Sequence, residues 1–321
     1  MSAQSMNIVN TPSRHRAHTL GKDAPELANY QDEPAQMASG APGKSGYLRL
    51  GFERREDRSV LAAMERRVPS LVQRALYWDE EMPQLPCVTM ISTSGSVLQG
   101  DRLATDVHVG AGACGHITTQ SATKVHSMDA NYATQVQCFR IEENGYLEFM
   151  PDPLIPHRKS RFITETRISI HPTATMIYCE VLMSGRKFHH VDERFGFDVY
   201  SSKVVAENLE GLELFIEKYI LEPKKEDLDA TGVMQGLDIF GNVVLLTPKE
   251  HHQRILERIP ALFDLGAGIA SGASRLPNHC GLVFKVLGND SGQVQIQIRE
   301  FWKVAREEIL GVTLSPKPLW R

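Results

Sequence analysis

The chain has 321 residues, of which 42% are apolar and 23% charged, a balance typical of soluble globular proteins. Its 35 basic and 39 acidic residues give a formal net charge of −4, which argues against the basic field that nucleic acid or an anionic membrane selects. Five separated cysteines (Cys87, Cys114, Cys138, Cys179 and Cys280) form no Cys-x-x-Cys, so neither a zinc ribbon nor a disulfide framework is indicated. The chain has neither a secretory apolar core near its start nor an 18-residue apolar run, and a cytoplasmic protein outside the membrane is expected.

Residues 1–45 read as a polar, mobile tail, with Pro12, Pro25, Pro34 and Pro42 scattered among small and charged residues. Within it, Gly43-Lys44-Ser45 looks like the end of a phosphate loop. The spacing demands glycine at position 38, which is Ala38, and no strand precedes it, so a linker is the better reading. From Tyr47 onward a single domain, residues 46–321, is expected.

The pattern then turns to strands. Leu103, Thr105, Val107 and Val109 alternate with Ala104, Asp106 and His108, and Phe162 to Ile170 repeats the alternation. Three segments, Val107 to Gln120, Phe139 to Pro151 and Ile168 to Val181, each run strand, small-residue turn, strand. Their turns begin after Val109, Ile141 and Ile170, at intervals of 32 and 29 residues. Such a period predicts stacked β-layers wound as a coil or flattened barrel. Residues 203–221 fit either a strand (Leu212, Leu214, Ile216) or a helix (Leu212, Phe215, Tyr219).

Helices come late. Thr247-Pro248-Lys249-Glu250 has the form of a capping box and leads into Ile255, Leu256, Ile259, Leu262 and Phe263, with Pro260 bending or restarting the helix. A second helix carries Ile298, Phe301, Trp302, Ala305 and Ile309 on one face and ends at Gly311. The expected architecture is mainly β: layered, helically wound strands in one domain with two α-helices docked on it.

No nucleophile elbow, zinc quartet or dinucleotide fingerprint is present, so chemistry must be sought in polar loops. Two signatures flank a predicted hairpin: Gly95-Ser96-Val97-Leu98-Gln99-Gly100-Asp101 and Thr118-Thr119-Gln120-Ser121-Ala122-Thr123-Lys124. Gly95 and Gly100 permit a tight turn that projects Asp101 from a strand entrance. Lys124, beside hydroxyls, suits a phosphate or a carboxylate such as Asp101. Each signature taken alone reads better as an ordinary turn than as a site.

Glu180 is less ordinary, because Met176 to Met183 is otherwise apolar on both faces. A carboxylate buried there unpaired costs several kcal/mol, so it needs a partner, a metal or water, and Arg186 is the nearest candidate cation. Glu148 and Asp152 add two carboxylates at a strand exit. They allow an alternative function as a β-helical carbohydrate-active enzyme working by general acid and base. Cys114 and His116 share a strand face but supply half a metal site at most. His189-His190 and His251-His252 are read as solvated pairs.

Taken in order, the segments are more specific than any one alone. Ser94 to Leu103, Thr118 to Lys124, Leu147-Glu148-x-x-Pro151-Asp152-Pro153-x-Ile155-Pro156 and Glu180-Val181-Leu182-x-x-Gly185-Arg186 follow the order and spacing of the urease accessory protein family UreD, also called UreH. The Phe301-Trp302 helix followed by Pro316 and Trp320 is similar to that family's ending. The resemblance covers roughly residues 47–320, and Ser96 and Gln99 depart from it where members often carry glycine. It implies a non-enzymatic cytoplasmic scaffold for urease maturation. Such a scaffold binds apo-urease and a helical UreF-type partner, through which a nickel-carrying UreG-type GTPase is recruited. It also implies that nickel passes through the interior, with no tightly bound cofactor and only transient Ni2+. Carried onto this chain, Asp101 and Glu180 would line the nickel path. Gly95, Gly100, Thr123, Lys124, Glu148, Asp152, Gly185 and Arg186 are the motif positions that shape it. Weak, spaced oxygen ligands suit such transfer better than a closed tetrahedral trap.

Overall fold

The computed structural model describes residues 11–32 and 45–316. Alternating β-branched and aromatic residues draw most of them into strands, which collect in two stacked sheets. The first sheet runs, edge to edge, Glu213–Leu221, Val199–Asn208, Arg161–Ile170, Ala133–Ile141, Arg102–Val109, Ser45–Arg55 and Arg58–Arg67. Its inner strands are all parallel, and each edge is closed by an antiparallel neighbour. The second sheet has a parallel centre of Cys87–Ser92, Cys114–Thr119, Tyr146–Phe149 and Thr175–Met183. Antiparallel strands extend it through Ile239–Leu246, Gly281–Gly288, Ile269–Arg275 and Leu262–Asp264, with Ser70–Val72 at the opposite edge.

The chain passes from the first sheet to the second and back, one strand in each layer per turn of a coil. The repeat expected from the sequence is this coil: Val109, Ile141 and Ile170 lie side by side in register. The predicted hairpin between the two signatures is not formed. Arg102–Val109 and Cys114–Thr119 belong to different sheets, and the small-residue turn Gly110–Ala113 carries the chain across the gap instead. That turn is tied to the next rung by Gly112 N–H donating to the Glu143 carbonyl at 2.8 Å. Apolar side chains fill the gap between layers, among them Leu50, Phe52, Val107, Phe139, Ile168, Met176 and Val244.

Residues 203–221 resolve as strands, Val199–Asn208 and Glu213–Leu221, turning at Gly211 (φ +86°). The inward face carries Phe215 and Tyr219, while Leu212 and Ile216 are exposed. Local periodicity alone would have put the other face inside.

The helices depart from expectation in two places. The stretch expected to be a mobile tail contributes helix α1, Pro12–Thr19, and a 3₁₀ turn, Pro25–Tyr30. Helix α1 has no apolar stripe; the outer face of the first sheet holds it through polar contacts. Arg16 Nη2 meets the fully buried Glu165 at 2.7 Å, Ser13 Oγ donates to Asp106 at 2.8 Å, and Thr134 Oγ1 donates to the Ala17 carbonyl at 2.6 Å. Ala17, Leu20 and Leu27 then pack with Tyr47, Tyr132 and Val136. A carboxylate on a sheet face needs cations once covered, and Arg16 of the tail joins Arg167 of the same strand, 2.8 Å from Glu165, in supplying them. The remaining tail positions, Gly43 and Lys44 among them, lie outside the described residues.

Helix α2, His252–Arg258, is shorter than the apolar stripe suggested. Pro260 ends it, and Leu262 and Phe263 emerge exposed on a short strand. The capping box does not form, because Thr247 Oγ1 bonds Thr175 Oγ1 at 2.9 Å instead. Helix α3, Ser291–Leu310, follows expectation: Asp290 caps its start, Gly311 ends it at φ +68°, and Ile298, Phe301, Trp302 and Ala305 are buried against the second sheet. Among the described residues no helix is long and apolar enough to cross a membrane.

Docking of the N-terminal segment predicts that Leu27→Ala lowers stability by about 2–4 kcal/mol in urea denaturation, as for a fully buried leucine. A mobile segment would leave the midpoint unchanged.

Candidate functional site

The four motif segments are far apart in sequence but adjacent in space. Strand Thr123–Val125 pairs in parallel with Leu154–Pro156, whose Leu154 pairs with Leu182 on the Glu180 strand. Val97 bridges to Val125, and the Lys124 carbonyl accepts the Val97 N–H at 2.8 Å. Pro153 accepts the Thr123 N–H at 2.9 Å, and Thr119 Oγ1 accepts that of Asp152 at 2.8 Å. Together they make a narrow third face of the coil.

Within that face the individual residues take structural duties. Asp101 is fully buried and closes its own turn, Oδ2 accepting the Leu98 N–H at 2.8 Å beside Gly100 at φ +75°. Lys124 is exposed. Gly185 stands at φ +123°, where a Cβ would lie 2.2 Å from the Glu193 carbonyl, so only glycine fits. Arg186 pairs with Glu193 at 2.7 Å. It is therefore not the cation for Glu180, which the sequence had suggested from proximity in the chain.

Behind this face, between the sheets, lie two adjoining cavities of about 330 and 80 Å³. Gly95, Ser96, Gln120 and Ser121 line the larger; Gln137, Asp152, Thr164, Tyr200 and Glu180 line the smaller; Met90, Thr119, Thr123 and Gln135 line both. Strand register explains why so many polar groups meet there. Gln135, Thr164, Ser202 and Tyr219 are consecutive partners across the first sheet, and Thr105, Gln137 and Thr166 form the row beside them. Polar side chains at inward positions of otherwise apolar strands are the signal that chain-order reading passed over.

Glu180 faces this row and is partly buried. Its carboxylate accepts hydrogen bonds from Tyr219 Oη at 2.8 Å, Ser202 Oγ at 3.1 Å, and Asn242 Nδ2 and Tyr178 Oη at 3.4 Å. No lysine or arginine forms an ion pair with it among the described residues. Burial raises its pKa above the ordinary carboxylate value, and the charge of Glu217 adds to the rise. Burial and the charge of Glu180 in turn push the Tyr219 phenol up.

Glu148 has the opposite surroundings. It lies on the other face of the second sheet, where α3 covers it, and every lone-pair direction is occupied. Arg306 donates to both oxygens at 2.9 Å, Trp302 Nε1 and Tyr146 Oη each donate at 2.7 Å, and His116 Nδ1 lies at 2.9 Å. Arg306 also reaches Asp79 at 2.6 Å. Against its own burial, the Arg306 charge and the His116 and Tyr146 contacts hold the Glu148 pKa down to about 2. A carboxylate this acidic is not a general acid, and Asp152 lines the cavity on the opposite side of the sheet. The Glu148–Asp152 hydrolase reading fails on both counts.

The histidine and cysteine candidates do not assemble a metal site either. His116 is engaged by Glu148, and Cys114 Sγ lies 3.3 Å from Ser59 Oγ with burial raising its thiol pKa. Among the described residues no group of three or more His, Cys, Asp or Glu side chains is placed to hold a metal. His189 and His190 are exposed as expected. His252, expected in solvent, is buried with Nε2 3.1 Å from the Thr247 carbonyl.

Comparison with known proteins adds an independent finding. Residues 44–321 match a family described as UreD urease accessory protein. The chain is 76% identical over 321 residues to the urease accessory protein UreD of Yersinia pseudotuberculosis serotype O:1b strain IP 31758, covering all of both chains. It is 74% identical over 327 residues to that of Yersinia enterocolitica serotype O:8, again covering both fully. The protein of the same name from Yersinia pestis bv. Antiqua is 77% identical over 268 residues, 84% of this chain and 97% of that one.

The Glu148 network predicts that Glu148→Gln destabilises the fold by about 3 kcal/mol, since it removes one of the two carboxylates, Glu148 and Asp79, that neutralise the buried Arg306. Because its pKa is lowered from 4.5 to about 2, the contribution of Glu148 is present in full above pH 4.5 and is lost as pH falls toward 2. Chemical denaturation at stepped pH should therefore show a shallower acid loss across that window in the variant than in the wild type.

Proposed function

Because this chain belongs to the UreD family of urease accessory proteins, and so assists urease maturation rather than catalysing a reaction, we propose that it acts as a cytoplasmic scaffold through which nickel is passed. In this reading the cargo is Ni2+ travelling between the two sheets. The partners are apo-urease and a UreF-type helical protein, with a UreG-type GTPase joining through the latter. The observation that supports it most is the inward polar row ending at a carboxylate that, among the described residues, has no lysine or arginine paired to it. Oxygen ligands spaced along a row bind a divalent ion briefly at each point, which favours transfer over storage. Asp152, Thr119, Gln135 and Thr164 are the stations before Glu180. Asp101 shapes the entrance by holding its turn.

Nothing in this reading needs a resident metal centre or a bound nucleotide on the chain. The GTP site would belong to the partner, consistent with the failed phosphate-loop spacing at Ala38. The third face, made of all four motif segments, positions the larger cavity beside the loop Gly95–Asp101.

Glu180→Gln separates the functional from the structural account. A raised pKa means that the charged form lowers stability as pH climbs through the folded-state value. The neutral amide should therefore fold at least as stably as the wild type at pH 7, while urease activation falls about tenfold or more for want of a charged ligand. Thermal melts, co-purification with urease and its accessory proteins, and urease activity in the same cells check this together. A destabilised variant with proportionate loss of activity would make Glu180 merely structural, and a chain that never co-purifies with those partners would remove the scaffold reading.

A further inference from the structure

The contacts of Glu180 do not stop at the cavity. Asn242 is fully buried, and its Nδ2 donates to Glu180 Oε1 at 3.4 Å and to Glu217 Oε2 at 2.8 Å. Glu217 is in turn ion-paired with Lys285. The register explains the line: Glu180, Asn242 and Lys285 are consecutive cross-strand partners in the second sheet, and Glu217 reaches in from the edge strand of the first. Exposure rises step by step outward, from 0% at Asn242 to side-chain values of 23% at Glu217 and 46% at Lys285. Apolar clusters lie on either side, Phe215 and Val244 in one, Tyr219, Phe240 and Leu287 in the other. The polar line thus crosses between them.

Resting on the nickel-passage reading, we infer that a divalent cation leaves Glu180 through a second oxygen site formed by Asn242 and Glu217, and that Lys285 is the displaceable counter-ion closing that site to solvent. Three observations carry it. First, two carboxylates share one amide, and the amide N–H₂ group stands where a cation would offset both charges. Second, Asn242 Oδ1 is buried with no hydrogen-bond partner among the described residues, an arrangement that is unfavourable in a protein interior. Turning the amide by half a revolution would give that oxygen to an incoming ion, making a carboxylate–amide–carboxylate set of hard ligands. Third, the Lys285–Glu217 pair is partly exposed. Such pairs contribute little to stability, so a divalent ion can displace the ammonium.

The test is titration of the purified full chain with Mn2+, read by electron paramagnetic resonance, alongside urease activation in cells. Glu217 and Lys285 are both partly exposed, so substitution there spares the fold, and thermal melts verify this. Lys285→Met should tighten Mn2+ binding about tenfold by removing a like charge, and Glu217→Gln should weaken it about tenfold. Unchanged affinity in either variant overturns the inference. If Glu180→Gln abolishes urease activation while both of these variants bind Mn2+ and activate urease like the wild type, the exit fails and the passage stands. If Glu180→Gln also leaves binding and activation untouched, the passage itself fails.

Discussion

Parallel strands stacked in register are the constraint on which the rest of this protein depends. Because each turn of the coil places its strand beside the equivalent strand of the last, a side chain at one inward position acquires neighbours of matching height on either side. Apolar positions then merge into the inter-sheet core, and polar positions merge into rows. The same stacking turns the short segments Thr123–Val125 and Leu154–Pro156 into one hydrogen-bonded face with the Gly95–Asp101 loop. Neither the face nor the row exists in any single turn.

Two glutamates on the second sheet show how environment divides like residues into different roles. Glu148 looks toward α3, where Arg306, Trp302, Tyr146 and His116 saturate it; its pKa is low and it ties the helix to the sheet. Glu180 looks into the gap, where hydroxyls and an amide receive it but no lysine or arginine among the described residues does, and its pKa is raised. Opposite faces of one sheet thus hold a carboxylate spent on stability and a carboxylate left available.

The N-terminal segment shows a second kind of dependence. By composition Pro12–Thr19 has no reason to order itself, since it lacks an apolar stripe. It orders because Glu165 and Asp106 on the outer face of the first sheet offer buried or half-buried acceptors, which Arg16 and Ser13 meet. Those acceptors sit on strands more than 90 residues away in the chain, as the separations from Ser13 to Asp106 and from Arg16 to Glu165 show.

Much was nevertheless determined by the sequence alone. Strand alternation, the spacing of Val109, Ile141 and Ile170, the α3 stripe ending at Gly311 and the order of the four motifs depend on local periodicity and on short-range glycine and proline geometry, which are written residue by residue. The family membership follows from the same ordered motifs. What only the tertiary structure decided was pairing: that Arg186 answers Glu193 and not Glu180, that Glu148 is consumed by Arg306, that the two signature strands lie in different sheets, and that Gln135, Thr164, Ser202 and Glu180 share one interior. Pairing across layers depends on strand register and on which face is covered, and neither is encoded in any one segment.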